Sequence, residues 1–183
     1  MEQEKAPSPG AERYSRITRT LHALIAVHMV GLIALGWWMI DLSFYSSWYY
    51  QAPALHKAFG TVVFVLGLLL LSLSAYRRPM PIPTHGLLVR IASKAAHLIL
   101  ITSVVTIPVS GYLFTTYSGE PVSIFGLFDI PALFSVSERV RDIAISFHIY
   151  ASYGLIAVIA AHVGGALKHH FWDRDQTLRR MTF

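Results

Sequence analysis

Apolar residues fall in four long runs, at about residues 17–40, 56–76, 91–114 and 143–167, separated by shorter polar stretches. A helix needs about 20 apolar residues to cross a bilayer, and each run is long enough. The first has no charge after Arg19, the second ends at Arg77-Arg78-Pro79, and the fourth is closed by Lys168. The third contains Pro108, which predicts a kink or a local unwinding. The pattern therefore predicts an all-α integral membrane four-helix bundle. Residues 1–13 read as a disordered N-terminal segment, 14–172 as the transmembrane domain and 173–183 as a tail. The first run is too long for a signal peptide and has no small-residue cleavage pattern, so an uncleaved anchor is expected. No internal repeat interrupts this reading.

Composition supports it. The chain of 183 residues is 54% hydrophobic and 14% charged, and its mean hydropathy is positive. A soluble domain carries about 25% charged residues. The length fits one domain. Twelve basic residues lie on one side of the predicted bilayer: Lys5, Arg13, Arg16, Arg19, Arg77, Arg78, Arg90, Lys94, Lys168, Arg174, Arg179 and Arg180. Only Lys57, Arg139 and Arg141 lie on the other. The positive-inside rule then makes both termini cytoplasmic. These clusters flank apolar runs, so they read as topology signals and not as a nucleic-acid surface. Phe44, Tyr45, Trp48, Tyr49 and Tyr50 supply an aromatic belt on the outer side. Residues 122–128 in the third connection read either as a short amphipathic piece lying flat on the outer surface or as a partly buried loop.

The chemistry lies in the histidines. With no cysteine, the chain lacks thiolate metal sites, disulfides and covalent haem attachment. An ionisable side chain inside a span is costly, which makes it a functional candidate, although a neutral histidine bonded across helices is the plain alternative. His22 and His162 fall near the cytoplasmic ends of spans one and four, and His56 and His148 near the outer ends of spans two and four. That arrangement offers one cross-helix pair per leaflet. The fourteen residues between His148 and His162 amount to about 21 Å of rise and about 40° of rotation, so both lie near one helix face. Seven of the eight residues four before and four after these histidines are Ala, Gly, Ser or Thr, which leaves room for a flat group. His28 sits between Leu24 and Leu32, about 240° around the helix from His22, and reads as a packing residue. His97 stays open as a rival ligand. No HExxH pattern and no intramembrane carboxylate favour zinc, and no G-x-S-x-G favours hydrolysis. Two neutral imidazoles with no open position suit haem b and electron transfer.

Tyr14-Ser-Arg16 leading to His22, His56 opening span two, His97, the run from His148 through His162 to Lys168-His-His-Phe-Trp172, and Asp175-Gln-Thr-Leu-Arg-Arg-Met181 resemble the bacterial cytochrome b561 family. The resemblance covers about residues 14–181. It implies a multi-pass inner-membrane bundle with two haems b, joining a periplasmic-side partner to the quinone pool. His22 and His162 would hold the cytoplasmic-side haem, and His56 and His148 the periplasmic-side haem. It also implies ubiquinone near the inner haem, for which His169, Thr20, Arg19 and Lys168 are the candidate residues. His169 lies two turns after His162 on nearly the same face. The alternative reading of His169-His170 is an interfacial cap anchored by Phe171 and Trp172. One activity in the family is superoxide oxidation, so superoxide:ubiquinone oxidoreductase is an expected activity. Anion steering wants a positive funnel, however, and the outer face sets Lys57, Arg139 and Arg141 against Asp41, Glu120, Asp129, Glu138 and Asp142. The segments 34–42 and 45–57 resemble a branch found beside a periplasmic lipocalin-like isoprenoid-binding protein, the expected partner. A haem-containing subunit that serves such a partner is the second reading, and a cofactor-free bundle the third.

Overall fold

In a computed structural model, residues 13–76 and 86–182 are described. The basic pair Arg77-Arg78 and nearly all of the expected N-terminal disordered segment lie outside them. Four helices run in order: α1 (Arg16–Ile40), α2 (Gln51–Tyr76), α3 (Leu87–Thr115) and α4 (Glu138–Phe171). All four are long and apolar enough to span a membrane. Consecutive helices pack on one another, giving an up-and-down bundle. We call the end with the chain termini the terminal end, and the other the hairpin end.

Local chemistry starts the helices where they start. The Ser15 hydroxyl accepts from the Thr18 amide at the head of α1, and Ser137 does the same for Val140 at the head of α4. Glu138 opens α4 and Lys168, His169 and His170 close it, matching the helix dipole at both ends. The helices outrun the apolar runs that predict them. At 34 residues α4 is about 51 Å long, well beyond a hydrocarbon core of about 30 Å. Its polar ends therefore continue the helix outside the lipid, where hydropathy gives no signal. Pro108 does not unwind α3, which is helical throughout.

Residues 122–128 form no flat amphipathic helix. Strands β1 (Val122–Ile124) and β2 (Phe128–Ile130) pair antiparallel, with Val122 opposite Ile130. Phe125 and Gly126 take positive φ at the turn, 53° and 70°. The alternation in Val122-Ser-Ile124 is a strand period: both apolar residues are 4% exposed and Ser123 faces out. β1 packs on α2, and the Phe125 ring rests edge-on against Phe59 at 5.1 Å. Tyr112 pins the following loop to α3, donating to the Pro131 carbonyl (2.6 Å) and accepting from the Leu133 amide (2.8 Å).

The protein core is small. Ile25, Val63 and Val104 are its buried centre, with Met29, Leu32, Leu66 and Leu70 around them. Many large apolar side chains, among them Val27, Val30 and Leu98, face outward, as lipid contact requires. The tail does not hang free of the bundle. Its described part turns back after α4 through a 3-10 turn at Leu178–Arg180. The Tyr14 amide donates to the Arg180 carbonyl (3.1 Å), and Arg19 donates to the Thr182 carbonyl (2.7 Å).

Candidate functional site

Three helices, α1, α2 and α4, bring four histidines into two facing pairs. At the terminal end, His22 of α1 and His162 of α4 have ring centroids 6.3 Å apart. At the hairpin end, His56 of α2 and His148 of α4 are 6.2 Å apart. These distances carry chemical meaning. A metal–imidazole bond is about 2 Å and the ring nitrogen lies about 1.2 Å from the centroid, so imidazoles on opposite faces of one metal have centroids about 6.3 Å apart. Both pairs stand at that separation. The His97 and His162 rings are closer, at 5.0 Å and 89°, while edge-on pairs elsewhere in the chain, such as Phe44 and Tyr50, also reach 6.3 Å. His97 thus touches the terminal-end pair by its ring, too close for a metal between centroids, and its Nδ1 donates to the Ser93 carbonyl (2.6 Å).

At the hairpin end the neighbours hydrogen-bond one imidazole and leave Nδ1 of the other without a hydrogen bond. His148 Nδ1 donates to the Ile107 carbonyl of α3 (2.9 Å), with the Ser110 hydroxyl 3.2 Å from the same nitrogen. A proton held on Nδ1 leaves the Nε2 lone pair for a metal, the usual device for orienting a ligand histidine. Phe114 packs edge-on against the same ring at 5.5 Å. Across from it, His56 Nδ1 is buried with no hydrogen-bond partner among the described residues. Such an orphan costs about 1–3 kcal/mol. A ring-nitrogen donor set without thiolate or carboxylate fits a bis-imidazole haem iron.

Two glycines that the sequence reading missed shape this pair. A Cβ on Gly111 would stand 3.1 Å from His148 Cε1, and one on Gly36 would stand 3.3 Å from His56 Cε1. Each imidazole therefore lies against bare backbone of a neighbouring helix. The available signal was a glycine inside an apolar helix, which lowers helix stability by about 0.5–1 kcal/mol relative to Ala and so calls for a packing reason. Ser110 was also missed. His28 belongs to neither pair: its Nδ1 donates to the Leu24 carbonyl (2.8 Å), and its ring packs on Phe59.

The remaining candidates gather at the terminal end, held by the tail. His169 Nδ1 is 2.8 Å from Asp173 Oδ2 and 3.0 Å from Asp175 Oδ2. Lys168 Nζ donates to both oxygens of Asp173, at 2.9 and 2.7 Å. The Lys168 hydrogen bonds, with the charges of Lys168 and His169, hold the Asp173 carboxyl below its ordinary value. Arg19 is buried, with its bond to Thr182, while Thr20 beside it is exposed. On the hairpin-end face, Arg141 pairs with Asp142 at 2.9 Å and lies over the Tyr117 ring at 4.6 Å. Phe44 is the hub of an exposed aromatic cluster with Tyr45, Tyr49 and Tyr50.

Comparison with known proteins follows the same lines. The family model described as prokaryotic cytochrome b561 matches residues 13–183. The chain is 39% identical over 172 residues to cytochrome b561 homolog 2 of Escherichia coli strain K12, covering 93% of this chain and 91% of that one. It is 27% identical over 175 residues to cytochrome b561 homolog 1 of the same organism, covering 92% and 96%.

Proposed function

The chain belongs to the prokaryotic cytochrome b561 family, and from that membership we propose that it links a periplasmic-side electron donor to ubiquinone through two haems b, one held by each histidine pair. Membership itself makes it a multi-pass protein of the bacterial inner membrane that uses b-type haem to carry electrons across the bilayer. When bound, such a haem supplies a one-electron couple that needs no proton of its own. The reading rests above all on the two cross-helix histidine pairs, one at each end of the bundle and both built on α4.

Each part of the chain has a task in this scheme. His22 and His162 bind the terminal-end haem, and His56 and His148 the hairpin-end haem. Each pair would offer a haem two imidazole nitrogens, and a haem held in that way would supply electron transfer and not oxygen chemistry. The Lys/Arg asymmetry turns the terminal end to the cytoplasm. There His169, with Thr20, Arg19 and Lys168, forms the ubiquinone site, where a ring nitrogen and a hydroxyl can bond quinone oxygens. At the hairpin end, superoxide is the small-molecule donor that this reading admits.

A second reading of the donor has its own support. The outer face carries a net charge of −2 from three basic and five acidic groups, and Arg141 is already paired with Asp142. Such a face gives an anion little steering, whereas the exposed Phe44 cluster suits a protein partner, such as a periplasmic lipocalin-like isoprenoid-binding protein. The test is optical. Purified oxidised protein is mixed with a superoxide source, and haem reduction is followed with and without ubiquinone. Haem content per chain is measured on the same sample. Fast reduction that relaxes with quinone supports superoxide as donor. Haems that superoxide leaves oxidised but quinol reduces support a dedicated partner. A haem content of one or none per chain overturns the two-haem reading.

A further inference from the structure

The tail's two carboxylates converge on one ring nitrogen, and nothing in the electron path uses them. We propose that Asp173, His169 and Asp175 form a proton relay that carries protons from the aqueous surface to the quinone as it is reduced. The proposal deepens the ubiquinone site above and rests on that reading.

The geometry is unusual for a mere anchor. His169 Nδ1 is in ion-pair contact with both Asp173 Oδ2 (2.8 Å) and Asp175 Oδ2 (3.0 Å). Facing the tail with Nδ1, the ring turns Nε2 away from the tail. His169 is two turns beyond His162, so the ring stands about 10 Å along α4 from the terminal-end ligand. The His169 side chain is 14% exposed and that of Asp173 31% exposed, so the relay runs from a solvent-reached carboxylate to a nearly buried imidazole. The backbone holds both acids in place: the Asp173 amide donates to the Lys168 carbonyl (3.1 Å), the Asp175 amide to the His169 carbonyl (3.0 Å), and Asp175 Oδ1 accepts from the Thr177 amide (2.7 Å). Lys168 on α4 is bound to Asp173, and Arg180 on the 3-10 turn and Arg19 on α1 are buried at the same end of the bundle.

The balance closes without any further reactant. Quinone takes two electrons through the haems and two protons to become quinol. For each proton, the Nε2–H bond breaks as an O–H bond forms on the reduced quinone oxygen. As it does, Nδ1 takes a proton from an aspartic acid that has drawn its own from water, and tautomer exchange then returns a proton to Nε2 before the second transfer. Asp173, kept ionised by Lys168, holds a proton from water only in passing and hands it on to Nδ1.

The experiment uses the full-length holoprotein, haem-loaded and reduced with a limiting amount of dithionite. Reoxidation by a short-chain ubiquinone is followed between pH 5.5 and 9, in H2O and D2O. The variants are Asp173→Asn, Asp175→Asn and the double variant, which keep the side-chain shape, with Asp175→Glu as the conservative control. In wild type we expect little pH dependence. In the double variant we expect reoxidation slowed about tenfold or more, most at high pH, with a larger solvent isotope effect and recovery on adding small weak acids. Asp175→Glu should retain most of the rate, and haem content should stay unchanged throughout. A loss that is equal at every pH and not recovered by weak acids, or no loss at all, overturns the relay while leaving quinone reduction intact. Wild-type haems that quinone fails to reoxidise overturn the quinone site and the relay with it.

Discussion

Gly111 offers a sharp test of the hairpin-end pair, because adding one methyl group there acts on a ligand without removing it. In Gly111→Ala the new Cβ would stand 3.1 Å from His148 Cε1 and 3.3 Å from Nδ1. Relaxed carbon contacts lie at about 3.5–4.0 Å, so the ring must retreat by about half an ångström. His148 has little freedom to do so, since its Nδ1 is bonded to Ile107 and flanked by Ser110. Overpacking of this kind costs about 1–3 kcal/mol, or about 5- to 140-fold in haem retention at that pair. Gly36→Ala should fall at the mild end, because its contact is 3.3 Å and His56 Nδ1 has no bond that fixes the ring. The assay is haem per chain with a redox titration of the spectrum. We expect one component to weaken or vanish while that of His22 and His162 persists. Alanine favours helix over glycine by about 1 kcal/mol, so the thermal melt should not fall with the haem content. Full retention of two haems with unchanged potentials in Gly111→Ala would refute the reasoning.

Three further outcomes are expected. His97→Ala should keep both haems and perturb only the terminal-end spectrum, since His97 meets His162 ring to ring at 5.0 Å; loss of a haem would make it a ligand. Tyr112→Phe removes two bonds that tie residues 131–133 to α3, costing about 1–3 kcal/mol locally, so hydrogen exchange should quicken in that loop and not in α4. Asp173 is held below its ordinary value by Lys168, so its contribution to tail docking is complete above the unfolded carboxylate range near pH 4 and is lost as pH falls through the lower folded value. Proteolysis of the tail should therefore be flat from pH 8 to 5 and rise only below about pH 4. A rise beginning near neutrality would mean that another group holds the tail.

What the sequence could and could not reveal follows from the range of each signal. Hydropathy is a sum over about twenty residues, so the four spans stand out, but the polar turns that extend α4 from Glu138 to Phe171 do not contribute to it. The hairpin at residues 122–130 has strands of three residues, and so short an alternation also fits a loop. The histidine pairs were legible because topology sets depth and fourteen residues on a helix nearly restore the same face. Gly36 and Gly111 were not, because a glycine records only the missing side chain and not the ring that lies against it. The docking of the tail was hidden for another reason. The bond from Arg19 to Thr182 joins residues 163 positions apart, and no local pattern foretells it.

The two pairs share one helix and differ in what holds them, and that division has a consequence. α4 fixes the rise between His148 and His162 at about 21 Å, so the spacing is set by backbone hydrogen bonds and not by side-chain packing. A single residue inserted between them would turn one ligand by about 100° relative to the other, and only one pair could keep its partner. What lies beyond each pair is separate. The hairpin-end ligand is oriented by Ile107 and Ser110 of α3, whereas the other end of α4 is tied to the tail through Lys168 and His169. A change in the tail can therefore alter the chemistry beside His162 without disturbing His148. The shared helix thus fixes the spacing of the two pairs and leaves the surroundings of each to vary on their own.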